Sequence, residues 1–357
     1  MKNILLILAD DIGPADTRVY RGTYPTPLLA KQARAGARFW NAWATPVCLP
    51  TRAGLMTGLY GPRTGHLGHT NDFEVARERD AAFVEHGTIA HALREAGYTT
   101  AVVGKWQHAV APAACGFDRS FTWDRWNPDG KVYPRYWGPT LWEDGVKRTF
   151  GEEVYGPDIL ADWTIRFFQD HSATPVFVLH NELLAHMEGS EFRPTPADPT
   201  PSLKGSITYW TMIVDRMVKA LPHTVIIITS DNGSEGGAKR EATGAGARCI
   251  LIVVGPGVVP GERHQLVDVT DHYPTILELA GSATSAGRDG VSFAPALRNR
   301  SAPGRDWIFS WIDDKRMART ATRQRDGDGV VRDVERAYFD EIIKGIGGRV
   351  ARLVEIG

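Results

Sequence analysis

Apolar residues in this chain gather into short uninterrupted runs, and between them lie segments with the three-to-four spacing of amphipathic helices. The runs predict strands over Asn3–Ala9, Thr99–Gly104, Pro175–His180, Thr224–Thr229 and Cys249–Val254. Continuous rather than alternating hydrophobicity is the pattern of strands covered on both faces. Helical spacing predicts helices over Pro27–Ala37, Arg52–Leu59, Thr88–Ala96, Asp158–Gln169, Ser206–Leu221 and Tyr273–Ala280. The alternation implies an α/β fold, a mostly parallel central sheet flanked by helices. Each predicted strand runs into a polar or glycine-rich loop, the edge where open α/β sheets place ligands. Residues Arg119–Phe150, rich in Trp and Pro, read as an irregular insertion packed over the sheet edge. Beyond about Pro303 the pattern weakens into a short apolar stretch (Trp307–Ile312), a charged run and a final amphipathic helix (Val334–Val354). The expected organisation is one domain over residues 1–302 and a small, reduced C-terminal subdomain over 303–357.

Composition narrows the field. With 357 residues, 43% of them hydrophobic, the chain can bury a large core. Forty-one basic residues against forty-two acidic ones leave no global field, which argues against a nucleic-acid or membrane-surface partner. Three widely spaced cysteines (Cys48, Cys115, Cys249) suggest neither a disulfide framework nor a thiolate zinc site. The opening MKNILLILADD has too short an apolar run for a signal peptide and lacks a cleavage site. A cytoplasmic protein is expected, or a periplasmic or secreted one whose signal peptide has been trimmed. No stretch approaches a membrane span.

Three places carry chemistry. Asp10 and Asp11 close the first predicted strand, and Asp231 and Asn232 close another in the context TSDNG. Singly these read as a solvated turn and an Asn-Gly turn. Together they bring four hard oxygen donors to one sheet edge, a set suited to Ca²⁺ or Mg²⁺. Cys48 begins CLPTR just where a helix starts, and a helix N-terminus favours an anion; the alternative is an ordinary buried thiol with Pro50 in the first helical turn. Lys105, in VVGKWQH, ends a strand and can pair with a sulfate or phosphate oxygen.

The CxPxR pattern at Cys48, continued by TRAGLMTGL and RTGHLG, resembles the signature of the type I sulfatases, and ILADDIG and TSDNG resemble that family's metal motifs. The resemblance runs from Asn3 to about Leu297, through VDVTDHYPTILELAG and RDGVSFAPAL. It implies an alkaline-phosphatase-like fold and hydrolysis of a small-molecule or carbohydrate sulfate ester. By that likeness Cys48 is oxidised to formylglycine by a formylglycine-generating enzyme and also serves as a metal ligand, and Arg52 orients its hydrate. Lys105 contacts nucleophile and sulfate. The family's "PH" falls on Ala185 and His186, making His186 the general acid at the leaving oxygen. Lys239 becomes a further sulfate ligand.

Two departures stand out. The family's histidine two places after the lysine is Gln107 here, with His108 one step later, so either Gln107 substitutes for the imidazole or His108 reaches in. The family's glutamate is Gly244, in GAGAR. Two other functions therefore stay open: a phosphonate or phosphate-ester hydrolase using the same site, and a non-catalytic binding protein. The cluster Trp123, Trp126, Tyr133, Tyr136, Trp137 and Trp142 is either a stacking platform for a sugar or the packing core of the insertion.

Overall fold

The computed structural model describes residues 1–127, 129–235, 239–282, 286–313, 315–320 and 352–353. Its centre is β1 (Asn3–Ala9). Ile4, Leu6 and Leu8 pack into one apolar cluster and Leu5, Ile7 and Ala9 into a second, because successive side chains on a strand point to opposite faces.

In chain order the remaining strands of this sheet are β2 (Ala37–Trp43), β3 (Thr99–Trp106), β4 (Arg119–Asp124), β5 (Thr140–Glu143), β6 (Val146–Thr149), β7 (Val176–Asn181), β8 (Thr224–Ser230), β9 (Arg248–Val254) and β10 (Gly261–Asp268). They form a ten-stranded sheet in the order β10-β2-β9-β8-β1-β7-β3-β4-β5-β6. From β8 across to β4 every pairing is parallel, whereas β9 runs antiparallel to both β8 and β2, and β5 and β6 continue antiparallel beyond β4. The expected α/β fold with a mostly parallel, helix-flanked sheet is the one found.

The helices are α1 (Pro27–Ala35), α2 (Cys48–Thr57), α3 (Gly61–Thr64), α4 (Phe73–Glu85), α5 (Ile89–Glu95), α6 (Gly156–Asp170), α7 (Leu203–Ala220), α8 (Gly244–Ala247), α9 (His272–Ala280) and α10 (Ala294–Arg298). One face of the sheet is covered by α2, α4, α5, α9 and α10, the other by α1, α6 and α7. Parallel strands must be joined by crossovers, so their C-terminal ends gather at one edge, and the loops after β1, β3, β7 and β8 meet there.

Two elements differ from expectation. The first helix stops at Ala35, and Ala37–Trp43 becomes a strand. The segment 119–150 is irregular only in part: the described residues between Asp124 and Thr140 form no helix or strand, but β4, β5 and β6 extend the sheet itself, with β5 and β6 joined across Asp144 and Gly145. Trp123, Tyr136 and Trp142 are buried and serve the core. Beyond residue 303, β11 (Trp307–Ile312) pairs with β12 (Lys315–Thr320), and β13 (Arg352–Leu353) joins β12. Trp311 Nε1 donates to His66 O at 2.8 Å and Phe309 N to Asp268 Oδ2 at 2.9 Å, so β11 is knitted to the main core. The expected helix over Val334–Val354 lies outside the described residues except at Arg352–Leu353, which are strand. Among the described residues no helix is long and apolar enough to cross a membrane.

Candidate active site

β3 delivers Lys105 through a backbone device. Gly104 has φ +86°, and a Cβ there would lie 1.8 Å from Asn181 O of β7, so only glycine lets the two strands stay paired one residue before the lysine. Lys105, buried, then reaches Asp10 with Nζ 2.8 and 2.6 Å from the two carboxylate oxygens.

Asp10 and Asp11 sit just past β1, Asp11 in the left-handed region at φ +63°. Asp231 follows β8, and its Oδ1 accepts the Asp11 N–H at 3.1 Å. Arg52, one turn into α2, donates Nη2 to Asp231 Oδ2 at 2.6 Å and lies 3.4 Å from Asp10 Oδ1. Lys239 Nζ bridges Asp11 Oδ2 and Glu235 Oε2, both at 2.6 Å. Three buried carboxylates thus face three cations. Burial opposes ionisation of Asp10, but Lys105, His186 and Arg52 overcome it and hold the carboxyl well below its usual range. Burial and the Asp10 charge push Asp11 up to about 6 and Asp231 up to about 7. The cluster still lacks positive charge.

Asn232 shows the same deficit. Its Nδ2 donates to Asp11 Oδ1 and to Gly233 O, each at 2.7 Å, while its Oδ1 is buried without a partner. Three carboxylates and an orphaned amide oxygen make an all-oxygen donor set that fits a hard divalent cation.

Cys48 is the first residue of α2, buried, with its Sγ 3.3 Å from His69 Nε2 and 3.3 Å from Gln107 Nε2. Burial and the neighbouring aspartates push the thiol up, Lys105 only partly offsetting them. A thiol so placed is a poor nucleophile as it stands. Gln107, not His108, is therefore the residue that reaches Cys48. His108 turns away, stacked on Phe83 at 4.9 Å with its Nδ1 3.6 Å from Asp80 Oδ2.

The loop after β7 carries His186 to the opposite side. It is tied to Asp10 by Asp10 N to Leu184 O (3.2 Å) and Ala185 N to Asp10 O (2.8 Å). His186 Nε2 lies 3.7 Å from Asp11 Oδ2, and its Nδ1 lies 2.7 Å from Met187 O and 3.0 Å from Arg135 Nη2. Burial, reinforced by Lys105, lowers His186 to about 4. His180 is a core histidine, its Nδ1 2.8 Å from Thr164 Oγ1.

The sequence reading passed over three residues. His69 follows directly on RTGHLG, Glu235 precedes Lys239 by one helical turn's spacing, and Asp80 is hidden in the charged stretch ARERDAAF. Asp80 is fully buried. Its Oδ1 accepts from His66 Nε2 (2.8 Å) and Arg79 Nε (3.1 Å), and its Oδ2 from Ala109 N (2.6 Å). It therefore braces the loop that leads to His69 against the loop that carries Gln107.

The sequence profile of the Sulfatase family matches residues 2–282. An arylsulfatase of Hemicentrotus pulcherrimus is 28% identical over 369 residues, covering 88% of this chain and 65% of its own length, so this chain spans about two thirds of that relative. The N-acetylgalactosamine-6-sulfatase of Sus scrofa is 30% identical over 369 residues, covering 89% of this chain and 70% of its own length. Among solved structures, Ps i-CgsB in complex with k-i-k-neocarrahexaose aligns with a TM-score of 0.78 at 20% identity, over 97% of this chain and 92% of that one. A structure in complex with its substrate D-glucosamine-2-N,6-O-disulfate aligns with a TM-score of 0.69 at 19% identity, over 90% and 87%. A family profile matched over most of the chain, on the fold those structures share, makes this protein a member of the Sulfatase family with the alkaline-phosphatase-like fold.

Proposed function

We propose that the protein hydrolyses sulfate esters, releasing inorganic sulfate and an alcohol, with formylglycine made from Cys48 as the nucleophile. The observation that carries this reading is Cys48 itself: it opens a helix, touches His69 and Gln107, and is surrounded by paired lysines and aspartates, yet its thiol is held in the unreactive protonated form. As formylglycine the side chain would supply a hydrated aldehyde, with one hydroxyl to attack sulfur and a second to expel sulfate as the aldehyde re-forms. Asp10, Asp11, Asp231 and Asn232 would hold a Ca²⁺ or Mg²⁺ ion, with residue 48 as a further ligand; such an ion supplies charge stabilisation to the transferring group.

The remaining groups act directly. Lys105 and Lys239 present ammonium charges to the sulfuryl oxygens, where negative charge concentrates in the transition state. Gln107 Nε2 and His69 Nε2 add donors beside residue 48, and Arg52, locked on Asp231, fixes the start of α2. His186 stands where a leaving oxygen departs. Its Nδ1 is engaged by Met187 O, which leaves Nε2 for that oxygen. Burial lowers its proton affinity in the free protein, and the charge of an arriving sulfate ester acts in the opposite direction.

Mass analysis of the Cys48 peptide, together with turnover of nitrophenyl sulfate and nitrophenyl phosphate, tests the assignment. An aldehyde at residue 48, faster sulfate than phosphate hydrolysis, and complete loss in Cys48→Ala are expected. An unmodified thiol in active protein overturns the nucleophile, and a phosphate preference overturns the substrate class.

A further inference from the structure

His186 stands on a loop, and a loop leaves an imidazole free to turn unless a second segment holds it. Residues Tyr133–Trp137, between β4 and β5, supply that hold. Tyr136 Oη lies 2.6 Å from Leu183 O and also contacts His186 O, while the Arg135 N–H donates to Glu188 Oε1 at 3.1 Å. These contacts close on both sides of His186. Trp123 Nε1 donates to Tyr133 O at 2.8 Å, which ties the segment back to β4.

The Arg135 side chain reaches the imidazole itself. Its Nη2 lies 3.0 Å from His186 Nδ1 and donates to Met187 O, the same carbonyl oxygen that stands 2.7 Å from Nδ1. A guanidinium has only donors, whereas a carbonyl oxygen has two lone pairs. Met187 O therefore accepts Nη2–H and Nδ1–H together, and the guanidinium, by fixing that oxygen, fixes one edge of the ring. Nε2 is left on the side of the carboxylates, 3.7 Å from Asp11 Oδ2.

No ion pair explains this arginine. Arg135 is 5% exposed, and among the described residues its guanidinium has no carboxylate partner: Glu188, which takes its backbone N–H, gives its other oxygen to Arg193 Nε at 2.9 Å. The guanidinium lies instead 4.9 and 5.3 Å from the ring centroids of Trp123 and Tyr136, where cation–π attraction offsets part of the cost of burial. Its Nε is buried without a partner, so its polar contacts all fall on His186 and Met187.

We propose that Arg135 is the positioning residue of His186: it holds the Met187 carbonyl against Nδ1 so that Nε2 meets the leaving oxygen of the sulfate ester. A group held in the productive orientation saves the entropy of finding it. The inference rests on the sulfatase reading and deepens it by naming what orients the leaving-group residue.

Arg135→Met keeps an apolar stem between Trp123 and Tyr136 and removes every donor, whereas Arg135→Lys keeps a charged donor for Met187 O. The experiment measures kcat and KM on phenyl sulfate, a poor leaving group, and nitrophenyl sulfate, a good one, for wild type, both variants, His186→Ala and the double variant Arg135→Met/His186→Ala. A general acid supplies roughly 10²–10⁴-fold, of which Arg135→Met should lose about tenfold or more on phenyl sulfate, in kcat with KM little changed, and less than about threefold on nitrophenyl sulfate. Beyond His186→Ala it should cost nothing further, because residues acting as a unit are not additive. If Arg135→Met fails to fold, the same cycle with Arg135→Lys decides, with a smaller loss on phenyl sulfate and again nothing beyond His186→Ala. A structural role alone lowers both substrates alike and costs the same with or without His186, and that result overturns the proposal. The ring is also read directly. In long-range ¹H–¹⁵N spectra of the Cys48→Ala protein, the imidazole signal that disappears with His186→Ala should carry its hydrogen on Nδ1 and should move toward tautomer averaging with the Arg135 substitution. An unmoved signal overturns the positioning role even in a protein that turns over no ester, whereas absence of wild-type turnover overturns the sulfatase reading alone.

Discussion

Replacing Asp80 with alanine should unfold more of the protein than its distance from the chemistry suggests. The carboxylate is fully buried and receives His66 Nε2–H, Arg79 Nε–H and Ala109 N–H at 2.8, 3.1 and 2.6 Å. Burial raises a carboxyl pKa, but His108 and His66 hold Asp80 well below the usual range, so the charge is present at neutral pH. Truncation strands two buried neutral donors and a nearly buried guanidinium; at about 1–3 kcal/mol for each stranded group the loss is at least roughly 3 kcal/mol, in the range of about 3–5 kcal/mol usual for removing one partner of a buried ion pair. Asp80→Asn is the informative partner. Its oxygen can still accept from Ala109, and its amide can donate to His66 Nε2 once that ring moves its proton to Nδ1, where Thr64 O waits at 3.1 Å. Only the Arg79 contact is then lost, for about 1 kcal/mol. Urea unfolding at neutral pH separates the two variants. Because Asp80 joins the loops that end in His69 and Gln107, kcat/KM should fall with the alanine and largely return with asparagine. An alanine variant within about 1 kcal/mol of wild type, by the usual net worth of one hydrogen bond, or an asparagine variant as damaged as alanine, refutes the bracing role.

Chelation of the purified protein, or Asp231→Ala, should lower both turnover and Tm, and Ca²⁺ or Mg²⁺ at 100-fold its Kd should restore about 2.7 kcal/mol to the chelated wild type; activity and Tm indifferent to chelator would remove the metal. His186→Ala should cost alkyl or sugar sulfates roughly 10²–10⁴-fold but a nitrophenyl sulfate far less, since a general acid matters most for a poor leaving group, while Lys105→Ala should damage both equally; the reverse pattern moves the acid elsewhere. Burial lowers His66 and His272 to about 4 in the folded protein, against an unfolded value of 6.5. The unfolded chain therefore takes up protons first as pH falls from 6.5 to 4, and each histidine should subtract roughly 2 kcal/mol of stability between neutrality and pH 5. Urea midpoints unchanged over that window in wild type, or unchanged by His272→Gln, contradict the assignment.

The strands legible in the sequence are those buried on both faces, since β1, β3, β7, β8 and β9 need no polar side and read as unbroken apolar runs. β2 escaped because Arg38 and Asn41 interrupt it: Arg38 reaches Val19 O and Asn41 reaches His264 O, both polar exits from an otherwise covered strand. β6 escaped for the opposite reason, being exposed at every residue and held only as an edge of a hairpin. The charged residues of the site were legible where they close strands, because a strand end at the loop edge of a parallel sheet has few other reasons to hold two adjacent aspartates. Asp80 was not legible, since a carboxylate in a charged helix looks solvated until the fold buries it.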